Sequence, residues 1–123
     1  LLSMDKEKLK TLSYLLEQGL QVLAQKDAPE QTVLLLTEKG TLCTLIMEEL
    51  PVYRELDAFL ETRKGEADTR ILYLLCLWRD GCLDVPSAEL RKALLALNPG
   101  NSRTQMLLNG GDVLVLKPLS AMM

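Results

Sequence analysis

The sequence predicts an all-α fold, an antiparallel helical bundle or hairpin of three to four helices. The hydrophobic fraction is 48% but the aromatic fraction is only 4%, so the core is aliphatic and leucine-dominated. Such a composition favours helices, because strands draw on β-branched and aromatic residues. Apolar residues near the start recur at helical spacing, and caps and turn signals divide the rest into helix-length segments. The 123 residues correspond to one domain, 1–123.

The first predicted helix covers residues 5–26, "DKEKLKTLSYLLEQGLQVLAQK". Its leucines lie three or four residues apart, which is the pattern of one apolar helix face. They are Leu9, Leu12, Leu16, Leu20 and Leu23. Gly19 costs about 1 kcal/mol relative to alanine in a helix interior and does not end the helix.

A long second helix is predicted from Pro29 to Lys64, with Asp27 as its N-cap and Gly65 after its end. Pro51 falls inside it. A proline removes one backbone hydrogen bond and clashes with the preceding turn, so we expect a kink or a break near Leu50.

The third predicted helix begins after Asp68 and ends at Gly81. It contains the most apolar run of the chain, 71–78, which is too short to span a bilayer and therefore indicates a buried core helix or a helix that lines a cleft. A fourth helix follows from Pro86 to Asn98, with Ser87 as its N-cap.

The last stretch, 98–123, contains an Asn-Pro-Gly turn signal, a Gly-Gly pair and the run Val-Leu-Val-Leu. A lone strand would have no partner in a helical chain, so a strand is not expected. Two alternatives are left open. Either the fourth helix continues through a kink at Pro99 to about Lys117, or it breaks at Asn98 and the rest is a mobile apolar segment.

The residue types argue against an enzyme. The chain has no histidine, which excludes the commonest general base and metal ligand, and its three cysteines form no Cys-x-x-Cys pair. We therefore expect no catalytic residue, no metal and no cofactor. The net charge of −3 argues against nucleic acid as a partner. Unpaired cysteines favour a reducing, cytoplasmic location.

Residues 15–50, "LLEQGLQVLAQKDAPEQTVLLLTEKGTLCTLIMEEL", resemble the N-terminal half of the FlgN family of flagellar export chaperones. The family shows a Leu-x-x-Glu-Lys-x-x-Leu register after a short turn. Its counterpart here is Leu35, Glu38, Lys39 and Leu42. A second point of similarity is the Asn-x-x-Asn spacing of Asn98 and Asn101, which an apolar stretch follows.

The resemblance implies a cytoplasmic export chaperone. Such a protein binds the C-terminal helices of flagellar hook-filament junction proteins, prevents their premature assembly and delivers them to the export apparatus. It also implies that 98–123 is the partner-binding segment of the helical domain. The residues expected to bind the partner are Asn98, Asn101, Leu107, Leu108, Val113, Leu114, Leu116 and Leu119.

A second reading of the same residues is a helical adaptor or homodimerisation domain of an unrelated multi-domain protein. The chain has more apolar segments than a two-helix hairpin needs, and a homodimer would bury the surplus. In that case the face formed by 71–78 would lie in the dimer interface.

Overall fold

The computed structural model describes residues 6–49 and 52–122, and it shows an α/β fold built on one sheet. The all-α prediction is therefore wrong. The helices are α1 (Lys6–Leu23), α2 (Leu56–Gly65) and α3 (Ala88–Leu97), with short 3₁₀ helices at Pro99–Arg103 and Leu119–Met122. The strands are β1 (Gln31–Thr37), β2 (Leu42–Glu49), β3 (Val52–Arg54), β4 (Ile71–Trp78), β5 (Leu83–Asp84), β6 (Gln105–Gly110) and β7 (Val113–Pro118).

Among the described residues, seven strands form the sheet in the order β3-β2-β1-β4-β6-β7, with β5 paired to β4. Neighbouring strands run antiparallel except β4 and β6, which are parallel. A parallel pair needs a crossover connection, and α3 provides it. The sheet thus has β1 and β4 at its centre and β3 and β7 at its edges.

Helices cover both faces of the central strands. On one face, Leu34 and Leu75 pack in a cluster with Leu15 of α1. On the other face, Leu35 and Leu74 pack in a second cluster with the buried leucines of α3. The molecule therefore has three layers, helix on sheet on helix, and the two apolar clusters lie on opposite sides of the sheet.

The predicted second helix is instead β1, β2, β3 and α2. The run Gln31–Thr37 is buried at nearly every position, because neighbouring residues face the two different clusters. A strand that is covered on both faces has no polar alternation and cannot be told from a buried helix by periodicity. The kink predicted near Pro51 lies outside the described residues.

The predicted third helix is β4, for the same reason. Its residues Leu74 to Leu77 are all at most 1% exposed, so the run is apolar on both faces. Two other helices are confirmed. The first predicted helix is α1, and the fourth is α3, with the Ser87 hydroxyl accepting a hydrogen bond from the Leu90 N–H at 3.2 Å.

The C-terminal stretch forms two strands, so the predicted continuation of the fourth helix to Lys117 is wrong. The break at Asn98 in the other alternative is confirmed, because α3 ends at Leu97 and Pro99–Arg103 form a separate 3₁₀ helix. Strand β7 pairs antiparallel with β6. The pairing extends from Gly110 opposite Val113 to Gln105 opposite Pro118. The Val-Leu-Val-Leu run therefore has the partner strand that an all-α chain could not have supplied.

Asn98 directly precedes this 3₁₀ helix, and Asn101 lies within it. The Asn98 Oδ1 accepts from the Gly100 N–H at 2.8 Å. Asn101 is fully buried, and its Nδ2 donates to the backbone oxygens of Thr69 (3.0 Å) and Leu94 (2.8 Å). Its Oδ1 accepts from the Ile71 N–H at 2.8 Å. One side chain thus joins α3 to the start of β4.

We expect Asn101→Ala to lower the free energy of unfolding by about 2–4 kcal/mol, because it leaves buried backbone groups without hydrogen-bond partners. Urea denaturation monitored by circular dichroism measures the effect. Asn98→Ala is the matched control, and since Asn98 is only half-buried it should cost about 1 kcal/mol. Equal losses in the two variants would contradict the structural role of Asn101.

Candidate functional site

A polar cluster lies where β3 and the beginning of α3 meet the central sheet. Its centre is Tyr53 of β3, whose side chain is 5% exposed. The Tyr53 hydroxyl donates to Gln31 Oε1 at 3.0 Å, and the Tyr53 side chain packs in one buried cluster with Leu90 of α3. Three separate segments of the chain therefore converge on one phenol.

The environment keeps this phenol protonated. Burial raises the pKa of Tyr53 to about 12, and the hydrogen bonds from Ser87 only partly oppose that rise. Burial also raises the pKa of the neighbouring Cys76 thiol. At neutral pH the cluster is thus uncharged, as buried groups without a charged partner must be.

A groove of about 240 Å³ lies between β2 and α2. One wall is Cys43, Thr44 and Leu45 of β2; the other is Glu55, Ala58, Phe59, Thr62 and Arg63. The lining combines a half-buried phenyl ring and small apolar groups with a carboxylate, two hydroxyls and a guanidinium. Ligand sites commonly show this combination of an apolar lining and a few polar groups.

Glu55 is conformationally unusual within the groove. It immediately precedes α2 with φ at 62°, in the left-handed region, and its side chain makes no capping hydrogen bond to the helix. A residue other than glycine pays about 1–2 kcal/mol for this conformation. Strain of this kind concentrates at functional sites, which motivates a functional hypothesis for the Glu55 carboxylate.

The other end of the groove is fixed by a buried ion pair. Arg63 is 3% exposed and its Nη1 donates to Asp68 Oδ2 at 2.9 Å. Asp68 Oδ2 also accepts from the Thr37 hydroxyl at 2.6 Å, and Arg63 Nη2 pairs with Glu66 at 3.0 Å. Because two carboxylates already balance the guanidinium, this end is not a free cationic site.

The eight residues predicted to bind a partner lie on different surfaces. Asn101, Leu107 and Leu119 are buried, whereas Val113 and Leu114 are exposed and Asn98, Leu108 and Leu116 are half-buried. The structure pairs Leu107 with Leu116 across β6 and β7, and both belong to the cluster with α1. Leu119 and Leu108 belong to the opposite cluster. Their partner-binding role stays a prediction.

Gln31, Tyr53 and Glu55 were not among the predicted site residues. Tyr53 and Glu55 were placed inside the predicted second helix, just after its kink near Pro51. Two signals were available: a Tyr-x-Glu stretch after a proline, and a second proline directly before the Ser87 cap. Neither is informative until the fold brings both stretches to one place.

Solved structures with the same fold are cytidine deaminases. The enzyme from Bacillus anthracis has a TM-score of 0.66 and 15% identity, covering 90% of this chain and 85% of its own. The enzyme from Mycobacterium leprae has a TM-score of 0.65 and 16% identity, covering 91% and 96%. A variant of the Mycobacterium tuberculosis enzyme has a TM-score of 0.59 and 18% identity, covering 90% and 93%. No family model and no curated protein sequence matches the chain.

These similarities correct the functional predictions. The FlgN resemblance, the export-chaperone function and the alternative of a helical adaptor or homodimerisation domain all required an all-α fold, and the chain has the α/β fold of cytidine deaminases. The prediction of a non-enzyme is contradicted too, because the solved structures that share the fold are enzymes. Within the described ranges, no helix is long and apolar enough to cross a membrane.

We expect the buried Tyr53 phenol to make the protein sensitive to alkali. The unfolded tyrosine ionises near its ordinary pKa of 10.0, whereas the folded one stays protonated up to about 12. The protonated phenol therefore contributes about 2–3 kcal/mol to the free energy of unfolding. This contribution is fully present below pH 10 and is lost as the pH rises to 12.

Urea denaturation between pH 8 and pH 12 measures this term by comparison with Tyr53→Phe. The variant should lose about 1 kcal/mol at pH 8, from the missing hydrogen bond, but should decline less steeply above pH 10. The Cys76 thiol is present in both proteins, so its contribution to the pH dependence cancels in the difference between the two curves. Tyr14→Phe, at a 49% exposed tyrosine, should follow the wild type. Parallel curves for wild type and Tyr53→Phe would refute a buried, protonated phenol.

Proposed function

We propose that the chain binds a pyrimidine nucleoside with an exocyclic amino group, of the cytidine class, in the groove between β2 and α2. The observation that carries the proposal is the strained Glu55 carboxylate at the groove. A carboxylate accepts hydrogen bonds from the cytosine N4 amino group, and it repels the O4 carbonyl of uracil. The Glu55 carboxylate therefore favours cytosine over uracil through the amino or carbonyl group at position 4 of the base.

The rest of the lining supports the same ligand class. The half-buried ring of Phe59 offers an apolar surface for a flat base, and the threonine hydroxyls of the two walls can bond to polar atoms of the base or sugar. The match to cytidine deaminases over 85–96% of their chains adds support, because nearly the whole frame of those enzymes has a counterpart here.

The proposal also includes a cytoplasmic location. Cys43, Cys76 and Cys82 are all free thiols, which is typical of a reducing compartment.

Nucleosides of this class are neutral, so an acidic protein with a net charge of −3 does not repel them electrostatically.

Isothermal titration of the full chain with cytidine and with uridine tests the proposal. We expect cytidine to bind at least about tenfold more tightly, since a hydrogen bond to a charged group contributes roughly 1.5–3 kcal/mol. Absence of cytidine binding, or equal affinity for both nucleosides, would refute it.

Two substitutions separate recognition from folding. Glu55→Gln should weaken cytidine binding about tenfold or more, with little change in stability, because it removes the charge and keeps the shape. Glu55→Gly should also weaken binding while raising stability by up to about 1 kcal/mol, because glycine accepts the positive φ. The control is Glu61→Gln, on the same helix with a side chain 79% exposed, which should leave both properties unchanged.

A further inference from the structure

Zinc-dependent base deaminases hold their metal with residues of two short patterns. A His-x-Glu stretch supplies one ligand and a glutamate that moves protons, and a Pro-Cys-x-x-Cys stretch supplies two thiolates. The two stretches must meet in space, because their side chains share one ion. The fold therefore raises the question of which residues of this chain take those places.

This chain has one stretch of each form at the start of a helix. Tyr53, Arg54 and Glu55 precede α2 with the spacing of His-x-Glu, and Pro86 to Leu90 enter α3 with the spacing of Pro-Cys-x-x-Cys. Tyr53 and Leu90 belong to one buried cluster, which brings the two stretches together. By position, Tyr53, Ser87 and Leu90 stand where the histidine and the two cysteines would be.

These three side chains do not form a zinc site. Zinc in proteins is held by thiolate, imidazole or carboxylate groups, usually four ligands with water included. The Tyr53 phenol is protonated and donates to Gln31, the Ser87 hydroxyl is neutral and caps α3, and Leu90 has no donor atom at all. In the part of the chain that the structure describes, no three His, Cys, Asp or Glu residues are grouped for a metal.

We infer that the metal position of this fold is occupied in this chain by the uncharged, hydrogen-bonded pair of Tyr53 and Gln31 packed against the start of α3, and that the chain binds no structural or catalytic zinc there. A hydrogen bond connects β3 to β1, and the packing of Tyr53 with Leu90 connects β3 to α3, where a metal would connect its ligands with coordinate bonds. No step of a zinc-dependent hydrolysis is assigned to these residues.

The first test is the metal content of the purified chain. The chain is expressed with added zinc, purified by gel filtration and analysed by inductively coupled plasma mass spectrometry. We expect well under one zinc ion per chain, and the same content in Tyr53→Phe. One zinc ion per chain that is lost in Tyr53→Phe or in Ser87→Ala would overturn the inference.

The second test restores the ligands. The triple variant Tyr53→His, Ser87→Cys, Leu90→Cys should bind one zinc ion and melt at a higher temperature with zinc than with a chelator. The control keeps Leu90 and carries only the other two substitutions, and it should bind zinc much more weakly. If the triple variant gains neither zinc nor zinc-dependent folding by circular dichroism, the three positions do not converge, which overturns the assignment.

These outcomes are independent of nucleoside binding. Zinc content is measured without any nucleoside, and the cytidine titration is carried out in a chelator. A protein that binds cytidine without zinc satisfies both proposals. A zinc-loaded protein that binds cytidine overturns only the inference about the metal, and a zinc-free protein that does not bind cytidine overturns only the proposed ligand.

Discussion

The burial of β1 and β4 on both faces is the constraint on which the rest of the structure depends. Each strand sends alternate leucines into opposite clusters, so helices must cover both sides of the sheet. Helix α1 covers one side, while α2 and α3 cover the other. The positions of α2 and α3 in turn determine where the segments that enter them meet, and it is there that the polar cluster and the groove lie.

The sequence allowed prediction of the two helices that carry their own local signals. Helix α1 has an amphipathic leucine pattern, and α3 has the Ser87 cap. The central strands could not be identified in this way. In Ile71–Trp78 the apolar residues are consecutive because both faces are buried, and leucine, which favours helices in isolation, occupies positions that tertiary packing has made strand.

The candidate site was even less accessible to sequence reasoning. Gln31, Tyr53 and Leu90 are far apart along the chain, and only the fold bonds Tyr53 to Gln31 and packs it with Leu90. The absence of histidine was correctly noted, but it was used to exclude enzymes as a class. The missing histidine bears more directly on zinc binding. That connection becomes visible only once the fold identifies the positions that zinc ligands would occupy. The Asn-x-x-Asn spacing was an equally ambiguous signal. It was interpreted as part of a partner-binding segment, whereas the buried Asn101 side chain donates to the backbone oxygens of Thr69 and Leu94.

The short β3 has a consequence for how the protein behaves in solution. It pairs with β2 only from Ile46 to Glu49, so the other half of β2 borders the groove instead of another strand. An unpaired strand edge invites association with other chains. Here that stretch of edge faces the groove, whose other wall is α2. A further strand that paired with Cys43 to Leu45 would therefore have to enter the groove, so a ligand bound there would compete with such association.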